Sequence, residues 1–490
     1  MRASSAGVLA AVSVAVLLAV SVFTPSESDG YTVFSAEGSD FTYETFGNGS
    51  ESDPYRCTLR SVSSSERTVF IPAVLEGYNV TEIAQGAMSG IADAPAVVVP
   101  ATVKTVGSSA FPSGSEVTFL GDRPEGDIPE GSVHMPDASG WEGGISAETV
   151  SVSSEDGSSV VCAVIGGSAV VISGTASAAG SLTIPSEAGG YAVDSIGPYA
   201  FGAEDSGCNS KIHRTDLRTV SIGDGVRIIR ERAFFYQGEL ESASIPDSVT
   251  DIMDEAFRYD SSLASADLPS SLLRIGFEAF RDCRALKSIS VPDSVSEMCE
   301  GAFRLCRTAT EVTVGSGVAE IPVHCFEYGD SLEKVVLPDG LKSIGDSAFY
   351  MCPSLRALDV PNSVTSIGRD AFRECTSLED VRIGSSVETV DANAFNGCTS
   401  LREISFPAST DKIGDGAFWG CSSLERAVFA GGSPELGSKA FPESVSVEVR
   451  GNDESGGIGY AAIICAAVVA IIIAASATVL FRRRRRPRGH

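Results

Sequence analysis

Apolar residues recur along this chain with a period of 23 residues. The pair Ala-Phe stands at Ala233-Phe234, Ala256-Phe257, Ala279-Phe280 and Ala302-Phe303, then at Ala348-Phe349, Ala371-Phe372, Ala394-Phe395, Ala417-Phe418 and Ala440-Phe441, with Cys325-Phe326 filling the gap in register. Leu217, Leu240, Leu263, Leu286, Leu332, Leu355, Leu378, Leu401 and Leu424 form a second column, and Ala309 takes its missing slot. A fixed period of this size is the mark of a solenoid. One unit has too few apolar side chains to fold alone, and stacking buries Leu on Leu and Phe on Phe.

The unit Leu332 to Cys352 shows the local logic. Leu332, Val335 and Leu337 make a short strand, and Pro338-Asp339-Gly340 end it, because proline fixes φ and aspartate and glycine favour turns. Leu341, Ile344, Ala348 and Phe349 are the apolar set of the returning chain. The prediction is a repeat solenoid of 23-residue units with short parallel β-strands and short helical or 3-10 turns. Strands pairing at about 4.8 Å from Leu217 to Leu424 make a sheet roughly 45 Å long.

The recurring pattern L-x-x-I-x-I-P-x-S-V-T-x-I-G-x-x-A-F-x-x-C-x-S-L, best seen in Leu355 to Leu378 (LRALDVPNSVTSIGRDAFRECTSL), resembles the BspA-type (treponemal-type) leucine-rich repeat. The resemblance implies a microbial cell-surface protein, associated with adhesion and with binding host proteins. The spacing by itself indicates only a solenoid.

Regions outside the regular array refine the organisation. Residues 1–25 read as a signal peptide, with Arg2 ahead of an apolar run from Val8 to Phe23. Residues 31–143 form a first, short repeat module, in which Ala110-Phe111 follows Ala87-Met88 by one period and Val117 to Trp141 is a closing unit. Residues 144–450 start again: Ser181 to Pro185, Gly190 to Ile196 and Ala200-Phe201 parallel the elements of the first module and lead into the main array. Residues 451–457 are a polar linker. Residues 458–481 carry no charge over a length that spans a bilayer, and the arginines of 482–490 place that end on the cytoplasmic side.

Composition narrows the partners. A net charge of −28 makes nucleic acid an unlikely ligand, and 43% apolar content with regular repeats argues against disorder. Cys283, Cys306, Cys352, Cys375, Cys398 and Cys421 each follow the repeat Phe by three positions, which favours buried thiols packed as small hydrophobes, although stacked neighbours lie near disulfide reach. A linear ladder does not supply a tetrahedral metal site, and none of His134, His213, His324 and His490 has a motif neighbour. No catalytic, cofactor-binding or metal-ligating residue is assigned. Asn48 and Asn79 are candidate glycosylation acceptors.

A strand alternates its side chains, so positions outside the columns face solvent. The candidate concave binding face comprises Lys287, Glu333, Lys334, Arg356, Asp359, Glu379, Asp380, Arg382, Arg402, Glu403, Glu425 and Arg426, a mixed-charge stripe suited to an extracellular protein or glycan. The function expected is a membrane-anchored surface binding or adhesion protein. The alternative is a structural coat protein of the cell envelope without a specific ligand, and an enzyme is disfavoured by the lack of any catalytic constellation.

Overall fold

The computed structural model describes residues 32–36, 39–46, 56–64, 68–75, 78–91, 96–100, 102–119, 124–129, 132–134, 145–146, 149–165, 167–202 and 216–450. The expected signal peptide (1–25), linker (451–457), membrane span (458–481) and basic tail (482–490) lie outside them, as do Asn48 and most of the insertion after Gly202. Among the described residues no helix is long and apolar enough to cross a membrane.

Every regular unit contributes two strands. One has three or four residues, as in Lys334–Val336 and Ala357–Asp359, and the other has two, as in Ser343–Ile344 and Ser366–Ile367. Both kinds pair in parallel with equivalent residues one period away, for example Ser343 with Ser366 and Ala357 with Asp380. The two-residue strands run as long ladders, from Glu320–Ile321 to Glu435–Leu436 in one sheet. The longer strands form several shorter sheets rather than the single one expected. Each makes few bonds, so one long contact, such as the 3.4 Å from Lys287 N to the Ala264 carbonyl, is enough to interrupt the ladder.

Antiparallel hairpins open both arrays. Thr32–Ala36, Ser39–Phe46 and Arg56–Ser64 lead in parallel to Tyr78–Ile83, and Thr149–Ser153, Ser159–Ile165 and Ser168–Thr175 lead to Tyr191–Ile196. Such atypical first units cover an apolar end that no neighbour would otherwise bury.

The third side of each unit departs from expectation. Instead of a short helical or 3-10 segment there are successive tight turns, because two residues of each turn region are left-handed: φ is +57° at Glu255 and +69° at Tyr259. A helix requires an uninterrupted right-handed run. Amides of Glu255, Phe257 and Tyr259 instead donate to the carbonyls of Phe277, Ala279 and Arg281 one unit ahead, at 2.8–2.9 Å. On the strand side the direction reverses, and Met253 N–H donates to Ile229 of the unit before.

The core is columnar. Phe rings stack without a break from Phe201 to Phe441, with centroids 5.0–5.8 Å apart and planes within 18°. The centroid spacing slightly exceeds the rise of about 4.8 Å per strand, as offset stacking requires. The cysteine column lies beside the rings as free, buried thiols. Each Sγ–H faces the carbonyl of a repeat Phe in the unit before: Cys283 to Phe257 at 3.1 Å, Cys375 to Phe349 at 3.2 Å, Cys421 to Phe395 at 3.1 Å. Burial pushes the Cys283, Cys306, Cys352 and Cys398 thiols up, and it raises Cys57 to about 12 and Cys162 to about 11 in the hairpin units. The thiolate is the reactive form. The column is therefore expected to resist iodoacetamide in the native chain and to be alkylated fully in denaturant, as peptide mass spectrometry would show. Native alkylation of Cys375 or Cys398 would contradict this packing.

The first array rests on the start of the second. Phe70 lies under the Arg230 guanidinium at 3.4 Å, Val98 clusters with Ala163, Ile165 and Val170, and Ile228 and Met253 join the core of the first array. Beside this junction an ion network runs Arg232–Glu255–Arg258–Glu278–Arg281 with contacts of 2.5–2.9 Å. Burial alone would raise the Glu255 carboxyl, but Arg232 and Arg258 together hold it below the ordinary range.

Candidate functional site

The outward residues of the longer strands stand in columns one unit apart. In the second array, Glu333, Lys334, Arg356, Asp359, Glu379, Asp380, Arg382, Arg402 and Glu403 line one open hollow of about 820 Å³, together with Val335, Ala357, Leu358, Val381 and Ser405. The structure thus brings together nine of the twelve residues of the candidate face. Glu425 and Arg426 lie on the next unit, and Lys287 is exposed on the strand side two units before Glu333.

The charges divide by column. Those at the strand positions are largely spent on each other, each cation meeting the acid one period earlier. Lys334 bonds Glu311 at 2.5 Å, Arg382 Nε donates to Asp359 at 2.7 Å, and Arg426 reaches Glu403 at 2.5 Å and Glu448 at 3.7 Å. These pairs are exposed and screened by solvent, so each adds little to stability. The column just ahead of the strands differs. Glu333, Arg356, Glu379, Arg402 and Glu425 are all exposed and alternate in sign, and none of them forms an ion pair among the described residues. Asp380 is a further exposed acid of the hollow without an ion pair there.

Glu311 and Glu448 complete pairs of the face and stand outside the candidate set. Glu311 could be found by stepping one period back from Lys334. Glu448 could not, because the closing unit pairs Arg426 with Ser446 and so shortens the step.

The corresponding face of the first array is not open. Its strands Thr68–Phe70, Ala96–Val99 and Glu116–Phe119 carry Phe70, Val98 and Thr118 at outward positions, and Phe70 and Val98 pack against the second array. Asn79 is close by. Its Oδ1 accepts from Arg232 Nη1 at 3.0 Å and from the Tyr199 hydroxyl at 3.5 Å, so this candidate acceptor is engaged between the arrays.

Among the described residues no group of three or more His, Cys, Asp or Glu side chains is placed to hold a metal ion. The buried carboxylate Glu255 is consumed by arginines rather than turned to a cleft. The chemistry available on this face is recognition by charge and hydrogen bonding.

Comparison with known proteins agrees with the columns. The model of the BspA type leucine rich repeat region matches in six copies, over residues 194–333 and 319–448. Among solved structures, a leucine-rich repeat protein of Bacteroides ovatus is 24% identical over 58% of this chain and 96% of its own, with a TM-score of 0.30. A leucine rich cell surface protein of Faecalibacterium prausnitzii is 21% identical over 64% and 98%, with a TM-score of 0.30. A leucine-rich repeat protein of Treponema pallidum is 24% identical over 46% and 86%, with a TM-score of 0.34. No curated protein matches the chain. With Phe, Leu and Cys columns of one period and a family match across more than half its length, this chain belongs to the BspA-type leucine-rich-repeat family.

Proposed function

We propose that the second array binds an extracellular polypeptide or glycan through its open strand face, and that the chain displays this face at the cell surface, anchored through residues 458–481. The observation that carries the reading is the contrast within the face. The strand-position cations are neutralised by neighbouring units, whereas Arg356 and Arg402 are exposed, lack an ion pair among the described residues and line the hollow. Unspent charges on a preformed face cost little to desolvate at a rim and set partner choice and encounter rate. The covered face of the first array leaves the second as the surface for a ligand.

The test is surface binding of the full-length chain to extracellular-matrix proteins, mucins and glycans, with salt titration. The pair Arg356→Ser and Arg402→Ser is expected to weaken binding by about tenfold, or about 1.4 kcal/mol. Arg382→Ser with Arg426→Ser is expected to weaken it less, because those side chains already have partners. Equal affinity of the parent and the first pair would move the site elsewhere. An absence of binding across the panel, with self-association of the chain, would favour the coat protein reading. Protease shaving of intact cells checks the display.

A further inference from the structure

The strand face of the second array has a symmetry that its single charges do not show. Its strands fall into three successive sheets. Ser288–Ser290, Glu311–Thr313 and Lys334–Val336 make the first, Ala357–Asp359 and Asp380–Arg382 the second, and Glu403–Phe406, Arg426–Phe429 and Ser446–Val449 the third. The centre of this layout lies between Ala357–Asp359 and Asp380–Arg382, where the ladder is intact, and the steps on both sides of it are breaks. The hollow is centred there too, because its lining comes from these two strands and from the unit on either side of them.

A two-fold axis through this centre, parallel to the strands, lays a second copy of the chain face to face on the first. It exchanges equivalent positions of units on opposite sides of the centre. Ahead of the strands, Arg356 meets Glu379 of the second copy, and Glu333 meets Arg402. Within the strands, Asp359 meets Arg382, Lys334 meets Glu403, and Glu311 meets Arg426. All five exchanges join opposite charges, and none depends on an even spacing of the units. The pairs within one chain fit the same pattern. Arg382–Asp359 faces its own reversed image, and Lys334–Glu311 faces Arg426–Glu403, so each closes a square of alternating signs.

Neighbouring registers are penalised. An axis through a strand sets Arg356 against Arg402, or Glu333 against Glu379. An axis one unit to either side sets Asp380 against Glu311 or against Glu403. Like charges brought together across an interface suppress the wrong alignment.

We infer that the open face is a self-recognition surface, and that the polypeptide it binds is the same face of a second copy in two-fold symmetry. The inference rests on the binding-face reading above and supplies its partner. Arg356, Arg402, Glu333 and Glu379, which form no ion pair among the described residues of one chain, all gain one in the dimer. The five exchanges cancel in sign. Asp380 opposite Ala357 and Glu425 opposite Thr310 are the charges left over, so this face is nearly neutral ground on which two chains of net charge −28 can meet. It has no apolar core, so the contact supplies register and selectivity more than affinity. Display of many copies on facing cell surfaces raises the effective concentration and offsets the weakness of a single pair. A two-fold contact closes on itself, so association stops at the dimer, whereas a coat keeps growing.

The experiment is sedimentation of the full-length chain, one per lipid nanodisc, at low and high salt. The parent is expected to dimerise at low salt and to dissociate as salt rises. Arg356→Glu sets acid against acid at two symmetry-related places, and Glu379→Arg sets cation against cation there. Each is expected to weaken self-association at least about tenfold. An equimolar mixture of the two variants is expected to pair as tightly as the parent, because every contact between unlike chains is again of opposite sign. The chain carrying both substitutions regains self-association for the same reason. Both positions are exposed, so unchanged melting curves verify folding. A parent that stays monomeric at about 100 µM overturns the inference. So do single variants that associate like the parent, a mixture that fails to pair, and growth beyond the dimer. If a matrix protein binds through Arg356 and Arg402 while the parent stays monomeric, self-recognition fails and the binding face stands. If the parent stays monomeric and nothing in the panel binds, both fail.

Discussion

Phe349→Ala is expected to lower the unfolding free energy by about 3–5 kcal/mol, the range for truncating a buried phenylalanine. The ring is fully buried and lies between Phe326 and Phe372, each 5.2 Å away. Neither neighbour can close the gap, because both are fixed in their own units by backbone ladders on several sides. The cost includes lost stacking on two faces, each about 0.5–1.5 kcal/mol. A solenoid's stability is a sum of units and nearest-neighbour interfaces, so the defect should also weaken the coupling between the units before and after residue 349. Urea unfolding followed by hydrogen exchange is the measurement. The expected result is a lower midpoint with an earlier loss of protection near residues 326–372. A drop below about 1 kcal/mol would show that the stack does not carry the core.

Much of this architecture is legible in the sequence because stacking repeats one packing problem. A residue of one unit meets its equivalent in the next, so Phe349 against Phe372 and Cys375 behind Phe349 follow from columns alone. The third side of the unit was harder to read. Glu255 and Tyr259 carry no glycine signal for a left-handed conformation, and the conformation is imposed by bonds to the next unit rather than by local preference. The junction of the arrays was also hidden, since Phe70 and Val98 look like strand residues of any sheet and only their contacts with Arg230 and with Ala163 and Ile165 show which face is covered. Within the binding face the charged positions could be found by alternation. Which charges pair depends on rotamers and on a neighbour 23 residues away, and this is why Arg382 and Arg356 appear equivalent in sequence and differ in the structure.

Asp260→Asn is expected to stabilise the chain by about 1–3 kcal/mol near neutral pH, the cost of leaving a buried polar group unsatisfied. Asp260 stands in the column that holds cysteine in later units, with Cys283 one period ahead and Gln237 one period behind. Both of those residues present a donor to a repeat Phe carbonyl: Cys283 Sγ–H to Phe257 at 3.1 Å and Gln237 Nε2 to Phe201 at 2.6 Å. Asp260 Oδ1 accepts the Gln237 amide at 2.7 Å, while Oδ2 is buried without a partner among the described residues. An ionised carboxylate can only accept, so the position that calls for a donor is filled by one only when Asp260 holds its proton. Burial pushes this carboxyl well above its usual value and outweighs the opposing bond from Gln237. The groups facing it there are Gln237 and the Cys283 thiol, and no cation is among the causes of its shift. An acid raised on folding contributes stability that is complete below its unfolded value, about 3.9, and is lost as pH climbs through the folded value. Parent and variant should therefore melt alike near pH 4, and the variant's advantage should grow as pH rises. Thermal melts of both chains across pH 4–8 test this; an advantage for the variant that does not change with pH would show that Asp260 is ionised in the native array throughout.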